Sequence, residues 1–287
     1  MPPPGVGRVQ RIFVGDVQGC ADELEALLQR AESAFGDRFE LWLVGDLVNL
    51  GPGSLRALSR VRRLVEAHQA RYVLGNHEVS LLRTAAGLRA LQPRDTFGEV
   101  LAQPDADDWV DWLRRRPLVE TGRQGRQPFA MVHAAVHPDW GLDRLAERAR
   151  RVEARLGATS RREAERFLAS DPREDQDRDD LERLTGCRSV TSAGSWSEEL
   201  PLDGANAWHQ HWAARRHGYG VVYGHWALQG LHVAPWLRGL DTGCVHHGRD
   251  RDGVLTAWLP DPAVETPFDV PDEHFWQIPA RRVYYTP

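Results

Sequence analysis

Three apolar runs, each followed by glycine and a polar residue, recur at an equal spacing near the N-terminus. They are IFVGD ending at Asp16, LWLVGD ending at Asp46, and YVLGNHE carrying Asn76 and His77. Successive polar residues Asp16, Asp46 and Asn76 are 30 positions apart, which is the length of one strand–helix unit of a parallel sheet. We expect these side chains to meet at the carboxyl edge of one sheet. Carboxylates and amides at the ends of apolar strands predict a bound cation.

Further apolar runs along the chain also end in polar residues. FAMVH reaches His133, GVVYGH reaches His225, and the run WLRGL reaches Asp241, before GVLTAWL near the C-terminus. Between the early runs, Asp22–Ala31 and Ser54–Ala67 carry apolar residues at helical spacing. Alternating strands and helices predict a layered α/β core.

The pattern predicts one domain over residues 9–287, preceded by a flexible N-terminal segment at 1–8. Two segments without the strand pattern, at about 79–118 and 141–185, are predicted to be helical insertions that cap the core. The second is dense in arginine and acidic residues. Two interpretations stay open for it: solvated helices with salt-bridged faces, or a cap that supplies arginines to a polyanionic substrate.

Composition excludes several classes of protein. No stretch approaches the roughly 20 apolar residues of a membrane span, and three widely spaced cysteines predict a cytoplasmic protein without disulfides. The net charge of −5 argues against a surface that coats nucleic acid. All 36 basic residues are arginines, which excludes the lysine-dependent phosphate loop and Schiff-base chemistry. We expect no membrane association and no stable protein partner.

The polar residues at the strand ends form a mixed oxygen and nitrogen ligand set. The set comprises Asp16, Asp46, Asn76, His133 and His225. Such ligands suit Mn²⁺, Fe, Zn²⁺ or Co²⁺ rather than a thiolate-bound ion. They are too many for one tetrahedral ion, so we predict two divalent ions, with Mn²⁺ favoured and Asp46 as the bridging ligand.

The ordered motifs GDVQGC, GDLVNLGP, GNHE, VHAAVHP and GHW resemble those of the calcineurin-like metallophosphoesterases. The longer strings GDVQGCADELEALL, LWLVGDLVNLGPGSL, VHAAVHPDW, YGHWALQG and LDTGCVHHG resemble the symmetrical diadenosine tetraphosphatases of the ApaH type. The similarity extends from about Arg11 to Leu259. It implies a four-layer α/β/β/α sandwich, with two mixed sheets between helices and a helical cap.

The resemblance also implies a role for individual residues. Two metals would be held by Asp16, Gln18, Asp46, Asn76, His133 and His225. His77 would be the proton donor or transition-state stabiliser, oriented by Asn49. Asp241 would orient the neighbouring ligands.

Two positions depart from the family pattern. Gln18 stands where the superfamily usually has histidine, and Leu50 stands where the family usually has an arginine that contacts phosphate. Losing such a charge-assisted donor costs about 1.5–3 kcal/mol. We expect another arginine to replace it, with Arg188 as the first candidate and Arg183 as the alternative.

The resemblance implies hydrolysis of diadenosine tetraphosphate to two ADP by a hydroxide that bridges the two metals. The resemblance also implies removal of nucleoside-tetraphosphate caps from RNA 5′ ends. Two alternatives stay open: a phosphatase acting on phosphoserine, phosphothreonine or phosphotyrosine in proteins, and a nucleotide-binding sensor with weak catalysis.

Overall fold

Two five-stranded mixed sheets form the centre of the protein. The computed structural model describes residues 9–191, 195–201, 207–249, 251–269 and 274–284. The N-terminal segment 1–8, for which the sequence predicts flexibility, lies outside the described residues.

The first sheet carries the three motifs of equal spacing. Its strands are β1 (Gln10–Val14), β2 (Phe39–Leu43), β3 (Ala70–Tyr72), β11 (Val254–Trp258) and β12 (Phe275–Pro279). Their order across the sheet is β12-β11-β1-β2-β3. Strands β1, β2 and β3 are parallel, whereas β11 and β12 are antiparallel to their neighbours. The predicted strand–helix repeat is therefore present.

The second sheet carries the later motifs. Its strands are β4 (Val119–Gln124), β5 (Gln127–Val132), β8 (Gly220–Tyr223), β9 (His232–Ala234) and β10 (Leu237–Gly239). Their order is β4-β5-β8-β10-β9, and the central strands β5, β8 and β10 are parallel. A separate two-stranded ribbon pairs β6 (Ser189–Val190) with β7 (Trp196–Ser197).

Helices cover the outer faces of the two sheets and fill the two insertions. They are α1 (Ala21–Phe35), α2 (Ser54–Glu66), α3 (Asn76–Ala85), α4 (Gly98–Leu101), α5 (Ala106–Leu113), α6 (Leu142–Leu156), α7 (Arg161–Ala169), α8 (Gln176–Gly186) and α9 (Trp208–Ala213). Helices α1 and α2 contact the first sheet, and α6 contacts the second. The first insertion is less helical than expected, because residues 86–97 form turns and coil between α3 and α4.

Alternate residues of each strand belong to two different apolar layers. In β1, Phe13 packs between the sheets, while Ile12 and Val14 face the helices. In β5, Phe129 and Met131 also lie between the sheets. Side chains alternate across a strand, so strands buried on both faces read as continuous apolar runs. The predicted four-layer sandwich is confirmed.

The parallel strands of both sheets end at one edge of the sandwich. Residues that follow the carboxyl ends of parallel strands share that edge, where sites in α/β folds are found. No helix in the described part of the chain is long and apolar enough to cross a membrane.

Candidate metal centre and active site

The carboxyl ends of five strands bring the predicted ligands together. Asp16, Asp46 and Asn76 follow β1, β2 and β3, whereas His133 and His225 follow β5 and β8. The site thus receives oxygen ligands from the first sheet and nitrogen ligands from the second. Asp241, which follows β10, adds a third buried carboxylate.

The ligand atoms converge around Asn76 and Asp46. Asn76 Oδ1 lies 3.0 Å from His133 Nε2 and 3.0 Å from His225 Nδ1. His133 Nε2 also lies 3.4 Å from Asp46 Oδ2. Ligand atoms of Asp16, Asp46 and His133 all lie within 4.8 Å of one another. One carboxylate, Asp46, is therefore in contact with ligands from both sheets.

Backbone carbonyls orient the two histidines. His133 Nδ1 lies 2.9 Å from Val44 O, and His225 Nε2 lies 2.9 Å from Gly186 O. A carbonyl only accepts, so each of these ring nitrogens carries the proton. The other nitrogen, Nε2 of His133 and Nδ1 of His225, is left to bind a cation.

Gln18 joins the cluster through its amide, since its Nε2 lies 3.4 Å from Asp46 Oδ2. Asp16 accepts hydrogen bonds from the backbone N–H of His225, with N–O distances of 3.1 and 3.2 Å. Gln18 and Asp16 thus contact Asp46 and His225, their neighbours in the cluster.

Several site residues have left-handed backbone. Gln18, Asp46, Asn49 and His225 have φ of 45°, 50°, 80° and 68°. This conformation is uncommon outside glycine and costs of order 1–3 kcal/mol per residue. Four such residues lie near the strand ends, so the fold holds their side chains in fixed directions at the site.

Two glycines permit the close approach of the loops. A Cβ on Gly75 would collide with the carboxylate of Asp46, and one on Gly224 would collide with the carboxylate of Asp16. The glycines in GNHE and YGHW therefore leave room for the ligands contributed by the other strands.

Glu78 organises the ligand loops, although sequence analysis assigned it no role. It is fully buried in the first turn of α3. Its Oε2 accepts hydrogen bonds from Asp46 N and Gly75 N, and its Oε1 accepts from Leu47 N, at 2.8–2.9 Å. Its position in the GNHE motif is the sequence feature that could have identified it as a site residue.

Burial and neighbouring charges shift the pKa values of the acidic groups of the site. Burial, then the charges of Asp241 and Asp46, raises the pKa of Asp16. Burial raises the pKa of Asp241 to about 6 and that of Glu78 to about 7. Burial opposes ionisation of Asp46 as well, but His133 and His77 outweigh it and hold its pKa below the ordinary value.

Divalent metal ions fit this environment. Asp16, Asp46 and Asp241 are buried, and in the described part of the chain no arginine forms an ion pair with them. Asp241 Oδ2 is buried without a hydrogen-bond partner. Buried carboxylates require compensating charge, and the carboxylate, amide and imidazole donors match first-row divalent ions.

Metal stabilisation is expected to depend on pH. In the metal-free fold, the raised pKa values of Asp16, Asp241 and Glu78 contribute stability at low pH that is lost as pH rises through them. Cations compete with those protons. The rise in melting temperature caused by Mn²⁺, relative to chelator-treated protein, should therefore grow between about pH 5 and pH 7.5. Calorimetry at both pH values checks this, and an equal or smaller rise at the higher pH would contradict it.

His77 lies beside the ligand cluster with Asn49 behind it. Its Nε2 is 3.7 Å from Asp46 Oδ2, and its Nδ1 is 2.8 Å from Asn49 Nδ2. The two residues predicted to act together are therefore in contact, and His77 Nε2 faces the ligands.

A cleft of about 820 Å³ opens over this cluster. Arg188 lines it and donates hydrogen bonds from Nη2 to His225 O at 3.4 Å and from Nη1 to Glu198 O at 2.7 Å. Arg183 lies elsewhere: its side chain is buried, with Nη2 3.6 Å from Asp179 Oδ2. Leu50 also lines the cleft.

Four more arginines line the same cleft, and sequence analysis singled out none of them. They are Arg89, Arg94, Arg249 and Arg251. They come from loops without a recognisable motif, so no local signal distinguished them from the other arginines. Together with Arg188 they surround the cluster with guanidinium groups, which suits a polyphosphate.

Comparison with known proteins agrees with the fold. The family model for calcineurin-like phosphoesterases matches residues 11–229. Structures of lower identity share the fold, such as a cold-active protein tyrosine phosphatase with 16% identity, a TM-score of 0.54 and coverage of 88% of this chain and 75% of that one. The protein belongs to the calcineurin-like phosphoesterases.

A narrower family follows from curated relatives. "Bis(5′-nucleosyl)-tetraphosphatase, symmetrical" of Ralstonia nicotianae is 38% identical over 252 residues, covering 82% of this chain and 86% of the relative. The protein of the same name from Citrobacter koseri is 37% identical, covering 82% and 88%. A crystal structure of a proposed diadenosine tetraphosphatase has 25% identity, a TM-score of 0.61 and 96% coverage of both chains. Within the superfamily, the chain belongs to the symmetrical bis(5′-nucleosyl)-tetraphosphatases.

Proposed function

We propose that this protein hydrolyses diadenosine tetraphosphate symmetrically, releasing two ADP. The observation that carries the proposal is the combination of His77 and the ligand cluster with five arginines in one cleft. A substrate with four linked phosphates presents several negative charges along its length. The cleft offers cation ligands at its base and guanidinium groups around them.

Each group has a chemical task in this proposal. Two divalent ions, when bound, supply a water-derived nucleophile at neutral pH and neutralise phosphate charge. Asp16, Gln18 and Asp46 would hold one ion, whereas Asp46 and the ligands from α3, β5 and β8 would hold the other. His77 Nε2 would donate toward a phosphate oxygen in the transition state.

The products follow from which phosphorus is attacked. A water oxygen bonds to the second phosphorus from one adenosine, and the central P–O–P bridge breaks. One half keeps the new oxygen and the other leaves with the bridging oxygen. Both products are then ADP.

The cleft also offers a surface for a nucleobase. Trp226 lines it, and the backbone around it is held by Arg188 bonding His225 O and by Arg251 bonding Ala227 O. Leu228 follows on the same wall with 63% of its surface exposed. An aromatic ring beside guanidinium groups suits a base next to phosphates.

Replacing Trp226 by alanine is expected to raise KM for diadenosine tetraphosphate about 5- to 150-fold, because stacking on one base contributes about 1–3 kcal/mol. Hydrolysis of p-nitrophenyl phosphate, which has no base, should change little. Steady-state kinetics on both substrates checks this, with Trp226→Phe as the control that keeps an aromatic ring. Equal loss on both substrates would contradict a role in base binding.

The proposal is tested against the protein-phosphatase alternative by parallel assays. Purified protein with Mn²⁺ is given diadenosine tetraphosphate or phosphoserine, phosphothreonine and phosphotyrosine peptides at equal concentration. We expect ADP release to exceed phosphate release from every peptide. Negligible ADP release beside rapid peptide turnover would overturn the proposal, and slow turnover of all substrates with tight nucleotide binding would favour the sensor.

Three finer features are part of the same proposal. They are Mn²⁺ as the physiological ion, a hydroxide that bridges the two metals, and action on nucleoside-tetraphosphate caps of RNA in addition to the free dinucleotide. We also place the protein in the cytoplasm, where its three buried cysteines would stay reduced.

A further inference from the structure

The side-chain amide of Asn49 has one orientation that satisfies its neighbours. Its Oδ1 accepts a hydrogen bond from Thr96 N at 3.0 Å. Its Nδ2 donates to Asp95 Oδ1 at 3.2 Å. Turning the amide by half a rotation would place its oxygen against a carboxylate and its NH₂ against an N–H group. Because one neighbour only donates and the other only accepts, the orientation is determined.

Asp95 is itself fixed as an acceptor. Arg89 approaches both carboxylate oxygens, with Nη1 2.5 Å from Oδ2 and Nη2 3.1 Å from Oδ1, and Gln92 N donates to Oδ2 at 2.7 Å. Burial opposes ionisation, but the hydrogen bonds from Arg89 and Gln92 outweigh it and lower the pKa of Asp95. Asp95 is therefore a carboxylate, with no proton of its own to donate to Asn49.

This orientation determines which nitrogen of His77 carries the proton. One hydrogen of Asn49 Nδ2 goes to Asp95, and the other points to His77 Nδ1 at 2.8 Å. His77 Nδ1 must then accept, so the ring proton sits on Nε2. That nitrogen faces Asp46 Oδ2 at 3.7 Å, in the cleft.

We propose that Asp95 is a positioning residue that, through Asn49, holds His77 as the neutral imidazole with its proton on Nε2. His77 then donates a hydrogen bond to a phosphate oxygen in the transition state and keeps its proton. The resemblance left proton donor and transition-state stabiliser open, and the geometry favours the stabiliser. No proton is required by the leaving group, since ADP departs through a phosphate oxygen that is stable as an anion.

The role toward a leaving phosphate rests on the proposed function, but the tautomer does not. The first test is therefore spectroscopic and needs no substrate. Nitrogen NMR of the zinc-loaded, ¹⁵N-labelled protein reports which ring nitrogen is protonated, and His77→Gln identifies the signal. We expect Nδ1 to show the shift of an unprotonated acceptor and Nε2 that of an N–H. Protonation of Nδ1 in the wild type would overturn the proposal.

The second test changes which of residues 49 and 95 is the hydrogen-bond donor and which is the acceptor. Asn49→Asp places two carboxylates against each other where Asn49 Nδ2 now meets Asp95 Oδ1. We expect kcat to fall about 10- to 100-fold, with KM little changed, and Asp95→Asn alone to lower it about tenfold or more. The double variant N49D/D95N restores a donor and an acceptor between positions 49 and 95, but it still presents a carboxylate to His77 Nδ1, so its kcat should stay within about tenfold of that of Asn49→Asp.

Controls separate this proposal from general damage. Asp108→Asn makes the same chemical change at an exposed aspartate of α5 and should leave kcat unchanged. Zinc binding by each variant shows that the fold is intact, and kcat is measured on both diadenosine tetraphosphate and an aryl phosphate. Wild-type kcat in Asn49→Asp, or wild-type kcat in the double variant, would overturn the proposal. Failure of the wild type on the dinucleotide alone would instead overturn the proposed function.

Discussion

Replacing His77 by alanine is expected to lower kcat for diadenosine tetraphosphate about 100- to 1000-fold, the effect of removing one preorganised donor from a transition state. The imidazole Nε2 faces the ligand cluster at 3.7 Å from Asp46 Oδ2 and lies on the cleft wall. It is not among the side chains expected to hold a metal. Metal stoichiometry should therefore stay at two ions per chain.

The measurement combines steady-state kinetics with metal analysis of the same preparation. His137→Ala is the matched control, because His137 stacks on Trp140 with ring centroids 5.0 Å apart and does not line the cleft. It should keep kcat within about twofold of the wild type, as surface substitutions away from a site do. Wild-type turnover in His77→Ala would show that the chemistry is elsewhere.

Replacing Asp46 by asparagine is expected to have the largest effect, with loss of metal and a fall in kcat/KM of about 1000-fold or more. Asp46 is the carboxylate that approaches ligands from both sheets, with Oδ2 3.4 Å from Gln18 Nε2 and 3.4 Å from His133 Nε2. Two-metal chemistry supplies several kcal/mol of transition-state stabilisation, and each 1.4 kcal/mol is a factor of ten in rate.

The substitution keeps the backbone conformation and the size of the side chain. Asp46 has φ of 50°, and asparagine tolerates the left-handed region as well as aspartate does. The backbone hydrogen bonds from Asp46 N to Glu78 and from Val17 and Gln18 to Asp46 O are kept. Calorimetric titration with Mn²⁺ measures the ions bound, with Asp108→Asn as the control. Two ions bound with wild-type affinity would contradict a bridging role.

The fold could be predicted because its signals are local and periodic. The 30-residue spacing of Asp16, Asp46 and Asn76 is the length of one β-strand, one helix and their loops, and β1, β2 and β3 are parallel as this requires. Strands buried on both faces read as apolar runs, so the runs before His133 and His225 also revealed strands of the second sheet.

The first insertion shows where periodicity misleads. Apolar residues continue past Ala85, including Leu88 and Leu91, so the pattern indicated helix. In the structure α3 ends at Ala85, and Leu88 and Leu91 are 38% and 52% exposed. The non-helical stretch 86–97 presents Arg89 and Asp95 near Asn49. Contacts with the site, rather than helical propensity, decide its conformation.

The arginines of the cleft could not be ranked from the sequence. Arg183 and Arg188 lie five positions apart at the end of α8 and just beyond it, yet Arg183 is buried against Asp179 whereas Arg188 lines the cleft. Their directions depend on where α8 ends and the loop begins. The contact between Asp95 and Asn49 could not be predicted either, because Asp95 lies on a loop without a motif, far from Asn49 in the sequence.

The structure shows what surrounds Leu50, which stands where the family usually has an arginine. Leu50 has φ of 63° and lies on the wall of the cleft, at the position where an arginine was expected to contact phosphate. Five arginines from other segments line the same space, and one of them, Arg89, is already paired with Asp95. The loss of one donor is thus compatible with a cleft that still suits a polyphosphate.

The most direct test of the proposed activity is product analysis in ¹⁸O-labelled water. Purified protein with saturating Mn²⁺ is given diadenosine tetraphosphate, and the nucleotides are separated and weighed by mass spectrometry. We expect ADP as the sole nucleotide product, with one labelled oxygen in half of the molecules. AMP together with ATP, or no cleavage by a metal-loaded protein, would contradict symmetrical hydrolysis.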